Sequence, residues 1–242
     1  MKRTGLLAIV LTLAVLPSAA QVPDEFTNLK VLPEDIGKQE LMSVMRSFAG
    51  ALGVRCKHCH VGPDNLQGMD FATDELEPKR VARTMMAMTS EINDELLPAS
   101  GRDPLLRVRC VTCHRGIARP QQMDDLLVET VESDGVDGAL ERFQTLRAEY
   151  AGSGAYDFSS GTLAGLAEML ARSKGDMDGA LKVVDLNIEL HPDVAYNHIM
   201  RGQILMQGGD RDAAVAALQR AVELEPDNDY AKRMLARVRG AD

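Results

Sequence analysis

The sequence predicts an all-α chain in two halves, and three observations predict it. Apolar residues recur at offsets of three and four in the segment preceding each cysteine pair, which is the spacing of one helical face. The pentapeptide Cys-x-x-Cys-His occurs twice, at 56–60 and 110–114, and uses all four cysteines. Beyond Gly138 the chain repeats itself every thirty-four residues, the length of a helical hairpin unit.

Residues 1–20 read as a signal peptide. Lys2 and Arg3 precede an apolar run from Leu6 to Leu16, followed by Pro17 and a small-residue exit at Ser18-Ala19-Ala20. The run is shorter than the roughly 20 apolar residues of a membrane span. A periplasmic or otherwise exported protein is expected, with retention of the segment as an uncleaved anchor as the alternative. Net charge of −9 disfavours nucleic acid and anionic lipid as partners and suits docking to a basic protein face.

Residues 21–120 repeat one plan, a helix and then a Cys-x-x-Cys-His. The first helix, Glu40 to Leu52, puts Leu41, Met45, Phe48 and Leu52 on one face; the second, Pro78 to about Leu97, does the same with Val81, Met85, Met88 and Ile92. Two thiols three positions apart can each add to one vinyl group of a haem, and the histidine that follows lies under the iron. Cys56 and Cys59 with His60, and Cys110 and Cys113 with His114, are therefore read as two covalent haem c sites. A zinc site has no need of a histidine after both pairs. Export supports the same reading, because covalent haem attachment in bacteria happens outside the inner membrane. The whole chain has no Trp, five Phe and four Tyr, and this half is expected to fill its core with the haems themselves.

Each iron then needs a sixth ligand, and few histidines remain. Methionine thioether is the usual alternative in electron carriers. Sliding one helix over the other aligns Met45 with Met85, so Met45 is the candidate for the first haem, and Met85 or Met88 for the second; the plain alternative is that all three are core residues. Arg55, Arg109 and Arg115 flank the attachment loops and could pair with propionates, although solvated arginines are commoner. The turn-rich segment 62–77 reads as a loop over the first haem or as a docking loop.

Several stretches together resemble a known family: Asn28-Leu-Lys-Val-Leu-Pro33, Met45-Arg-Ser-Phe48, Leu52 to His60, Asp70-Phe-Ala72, Ala82 to Met88, Ile92-Asn93 and Val111 to Gly116. Residues 26 to 120 are similar to the cytochrome c subunit of photosynthetic reaction centres, relatives of which also occur in bacteria that are not phototrophs. The resemblance implies that each haem is bound by a helix, a turn and the attachment loop. It also implies a distal methionine from the preceding helix, supporting Met45 and Met85. The full subunit carries four haems and this chain has two motifs, so phototrophy is not inferred.

Residues 121–137 read as an acidic connector, partly helical, containing Asp124, Asp125, Glu129, Glu132, Asp134 and Asp137. Residues 138–242 follow as a repeat domain. Gly175-Asp176 recurs as Gly209-Asp210, Ala180 as Ala214, and Leu190-His-Pro192 as Leu224-Glu-Pro226. This looks like the tetratricopeptide family, in which hairpins stack to bury faces that none can bury alone. A degenerate unit from Gly138 to Lys174 and a closing helix from Asp229 to Arg239 are expected to cap the array.

The expected function is that of an electron carrier rather than an enzyme, with two haems exchanging single electrons with redox protein partners, membrane-bound electron-transfer complexes among the candidates, and a repeat domain for protein docking. No small-molecule substrate is evident. One alternative is a redox-sensing or assembly scaffold acting through the repeats. The other is a di-haem peroxidase, which needs a five-coordinate iron and a distal acid or base that the sequence does not offer.

Overall fold

The computed structural model describes residues 22–101 and 106–240, so the expected signal peptide at 1–20 lies outside the described residues. Those residues are mostly helical and contain no strand, only one isolated antiparallel bridge between Val61 and Asp70. No described helix is long and apolar enough to cross a membrane. The chain divides into two compact units, 1–112 and 113–242, with the break inside the second pentapeptide.

In the first unit α1 spans Lys38–Leu52 and ends where Gly53, at φ 66°, turns its N–H back to the carbonyls of Ala49 and Gly50. A 3₁₀ turn over Cys56–His58 follows directly. The loop after it returns through the Val61–Asp70 bridge. Gly62 has φ +145°, and a Cβ there would lie 2.7 Å from Met69 Cα, so the close approach requires glycine. Helix α2, Glu77–Glu91, begins with Pro78 in its first turn and runs through a π-helical turn, Ile92–Leu96, into the short α3, Leu97–Ala99. Helix α4, Cys110–His114, is the second pentapeptide itself.

This unit is poor in protein core. Among its described residues the buried hydrophobics are Ile36, Leu41, Ala51 and Met69, while Val31, Val81, Met88, Leu96, Leu106 and Val111 are exposed. The face expected of α2 exists at the right spacing, but Val81 and Met88 on it are 46% and 43% exposed. Periodicity set the side of the helix and could not say that so little polypeptide would cover it.

The second unit is built differently. Helix α5, Met123–Tyr150, carries a break at Gly135, whose φ of 76° and ψ of −178° are not helical. Residues 121–137, read as a connector, thus lie largely in a helix, and Met123 and Leu127 are buried with Phe143, Leu163 and Leu170. Helices α6 (Ser160–Met169, prolonged by a π-helical turn to Lys174) and α7 (Met177–Leu190) form one hairpin; α8 (Ala195–Gln207) and α9 (Arg211–Leu224) form the next; α10 (Asp229–Arg239) closes the array. The thirty-four-residue period is visible in the caps. Asp176 accepts from Gly179 N at 2.9 Å and Asp210 from Ala213 N at 3.0 Å, each satisfying a free N–H at a helix start. Ala180 and Ala214, both fully buried, let the hairpins close.

Candidate haem-binding site

The first candidate site is assembled from the C-terminal end of α1 and the turn that follows it. Cys56 is exposed, while Cys59 and His60 are half-buried; no disulfide joins any of the four cysteines. A cleft of about 260 Å³ opens beside Cys56, lined by Ala49, Val54 and Leu66 among others. Met45, half-buried, stands one turn of α1 before Ala49. Burial pushes the Cys59 thiol up, and the neighbouring Cys56 adds to that. Burial also pushes His60 down, and the Lys79 charge acts the same way, against the Phe71 carbonyl and Asp70. A neutral imidazole is the form that can ligate a metal.

The loop after the motif leans on that ring. Phe71 meets His60 edge-on with centroids 5.1 Å apart. Its position is set by a network centred on Asp74. Lys30 Nζ lies 2.7 Å from Asp74 Oδ2, Arg83 Nη1 lies 2.6 Å from the same oxygen, and Asn28 Nδ2 donates to Oδ1 at 2.9 Å. The Arg83 and Lys30 cations hold the Asp74 carboxyl far below the usual carboxylate range. Lys79, in the first turn of α2, donates to the carbonyls of Phe71, Ala72 and Thr73 at 2.8, 3.0 and 2.7 Å.

The second candidate site has its own supports. Asn93 grips Val108 twice, donating to its carbonyl at 2.8 Å and accepting from its N–H at 2.7 Å, which fixes the approach to Cys110. Thr112 Oγ1 accepts from Arg109 N at 3.0 Å at the start of α4. After the motif Arg115 and Gly116 take φ of 50° and 89°, and the chain turns so that His114 Nδ1 meets the Ile117 carbonyl at 2.9 Å. Facing a carbonyl, Nδ1 is the nitrogen that carries the proton, which leaves the Nε2 lone pair available to ligate a metal. Cys110 and His114 are half-buried and Cys113 is exposed. On α2, Met85 is half-buried and Met88 exposed. The Arg115 guanidinium donates to Gly154 O at 3.3 Å.

These residues fit a haem. A unit with four buried hydrophobics leaves several large apolar side chains in water, and a flat apolar cofactor would cover such surface. His60 is half-buried, and its Nδ1 has no hydrogen-bond partner among the described residues. Sequence reasoning missed Asp74, Lys79 and Arg83. Residues of this network do recur in the stretches that carry the family resemblance, but as letters without roles.

Comparison with known proteins agrees with this reading. The family model for the photosynthetic reaction centre cytochrome c subunit matches residues 10–155, more than half of the chain, and a tetratricopeptide repeat model matches residues 197–238. Cytochrome c-554 of Chloroflexus aurantiacus is 32% identical over 87 residues, which are 36% of this chain and 20% of that protein. The chain thus covers about a fifth of the length of this curated relative.

Proposed function

The chain belongs to the photosynthetic reaction centre cytochrome c subunit family, and from that premise we propose that it is an exported carrier of single electrons with two covalent haems. The observation that carries the proposal is that both Cys-x-x-Cys-His motifs fall within the matched residues 10–155, in a stretch whose first unit has little core of its own. Cys56 and Cys59 would hold one haem by thioethers with His60 as proximal ligand; Cys110 and Cys113 would hold the other with His114. Met45 is the proposed distal ligand of the first, and Met85, or Met88 one turn on, of the second. When bound, such a group stores one electron at its iron, at a potential set by axial ligands, burial and nearby charge.

The protein's own work is to hold and orient. Phe71 braces the His60 ring, Asn93 fixes the chain entering the second motif, and the Ile117 carbonyl sets the His114 tautomer. The repeat domain is proposed as the docking element for a redox protein. Tyr196 and Tyr230, thirty-four residues apart at the starts of α8 and α10, are 51% and 46% exposed and offer aromatic contact area to such a partner.

The test is to mature the protein in a host with haem attachment machinery and to measure its mass and its redox titration by visible spectroscopy. Two haems and two reversible one-electron steps are expected, with one haem left in the Cys56→Ala/Cys59→Ala variant. A bare polypeptide would refute the reading.

A further inference from the structure

We propose, on the reading that Cys56, Cys59 and His60 hold a haem, that Lys79 is a positioning residue that raises the potential of that haem by pinning the Phe71 loop against the His60 ring and holding a buried positive charge beside it. The two candidate proximal histidines differ in their surroundings. His114 Nδ1 has the Ile117 carbonyl at 2.9 Å, whereas His60 Nδ1 is buried with no partner. The loop residue that touches the His60 ring is Phe71, edge-on with centroids 5.1 Å apart, and Lys79 Nζ donates to the Phe71 carbonyl at 2.8 Å.

Lys79 is fixed in this role. Its side chain is 11% exposed, and its ammonium is held by the Ala72 and Thr73 carbonyls and lies 3.4 Å from Asp74 Oδ1. Asp74 is itself anchored by Arg83 and Lys30. The cation therefore cannot swing into solvent without undoing the loop.

The ammonium acts through its charge. A buried positive charge near the ligand favours the ferrous state, which carries one positive charge fewer. Asp70, Asp74 and Arg83 are the other charged groups acting nearby, and Asp74 partly offsets the cation.

The experiment uses the full chain in two single-haem backgrounds. With Cys110→Ala/Cys113→Ala, which keeps the first haem, Lys79→Gln should move the midpoint potential down and Lys79→Arg should restore most of the loss. With Cys56→Ala/Cys59→Ala, Lys79→Gln should leave the midpoint where it was. A midpoint unmoved or raised in the first background, or an equal shift in both, would overturn the proposal. Haem content measured by mass beforehand separates this from the parent reading, which fails only if the unaltered chain carries no haem. Should Lys79→Gln lose its haem, Asp74→Asn carries the test: removing the offsetting carboxylate should move the same midpoint up, and a midpoint that stays or falls overturns the proposal.

Discussion

At the scale of single residues, the proposed haem sites turn on three methionines. Met45 is half-buried on α1, whose end runs into the first attachment turn. Met45→Ala should therefore open one sixth position, turning that haem high-spin and lowering its potential, as loss of a thioether does. Met85→Ala should do the same to the other haem while Met88→Ala changes neither spectrum, because Met88 is the more exposed of the two. The reverse result would put the ligand one turn further along α2. Asp74 makes a different prediction. Its carboxyl is held far below its ordinary value in the folded chain, so the stability it supplies is fully present above the unfolded pKa of about 3.9 and is lost as pH falls below it. The gap between thermal melts of Asp74→Asn and the unaltered protein should be full at pH 6 and narrow progressively as pH falls below about 3.9; a constant gap would contradict the assignment. The candidate cysteines and histidines stand out in the sequence because their spacing is that of a known attachment motif. Asp74, Lys79 and Arg83 do not, since each is an ordinary surface charge in the sequence and acquires meaning only when residues 28–30 and 70–75 meet the start of α2.

At the scale of elements, the repeats were legible to the residue at their turns and opaque inside their helices. Asp176 and Asp210 sit one period apart and both cap, whereas the break at Gly135 and the π-helical turns at Ile92–Leu96 and Leu170–Lys174 leave no periodic trace. The acidity of residues 121–137 hid the one stripe that matters there, Met123 and Leu127, because the surrounding carboxylates dominate the composition. Within the second hairpin Gly202 of α8 faces α9 so closely that a Cβ would stand 2.7 Å from Leu218 Cγ. Gly202→Val should thus destabilise the repeats by about 1–3 kcal/mol through overpacking, despite a better helix former replacing glycine. Asp210→Ala should cost about 1 kcal/mol through loss of its cap. Chemical denaturation of the repeat half would check both, and a neutral Gly202→Val would mean that α8 and α9 pack less tightly than this geometry requires.

At the scale of the whole molecule, the two units differ in what holds them. The second owns two helix-on-helix cores that include Leu163, Val183, Val184, Ile199 and Leu218, and its helices are tied by Asn187, which donates to Ser160 O at 2.9 Å and to Asn197 Oδ1 at 3.1 Å. The first has four buried hydrophobics among its described residues and a loop fixed largely by charge. A covalent ligand that binds only the folded form stabilises it by mass action, and permanent attachment makes that contribution constant. A chain with all four cysteines changed to alanine should accordingly lose helical signal and protease resistance from residues 22–112 while the repeats persist. The boundary of the stable part is also specified. Because Met123 is 2% and Leu127 0% exposed within the first core of the repeats, a fragment of residues 121–242 should fold cooperatively without haem, and one of residues 138–242 should be weaker. Each buried side chain removed costs on the order of 2–5 kcal/mol, against a typical domain stability of about 5–15 kcal/mol, so the shorter fragment should melt many degrees lower. Circular dichroism melts of the two fragments would decide it: equal midpoints would mean that the first turns of α5 merely lie on the repeats, and a folded haem-free first half would mean that its charge network, rather than the haems, supplies its stability.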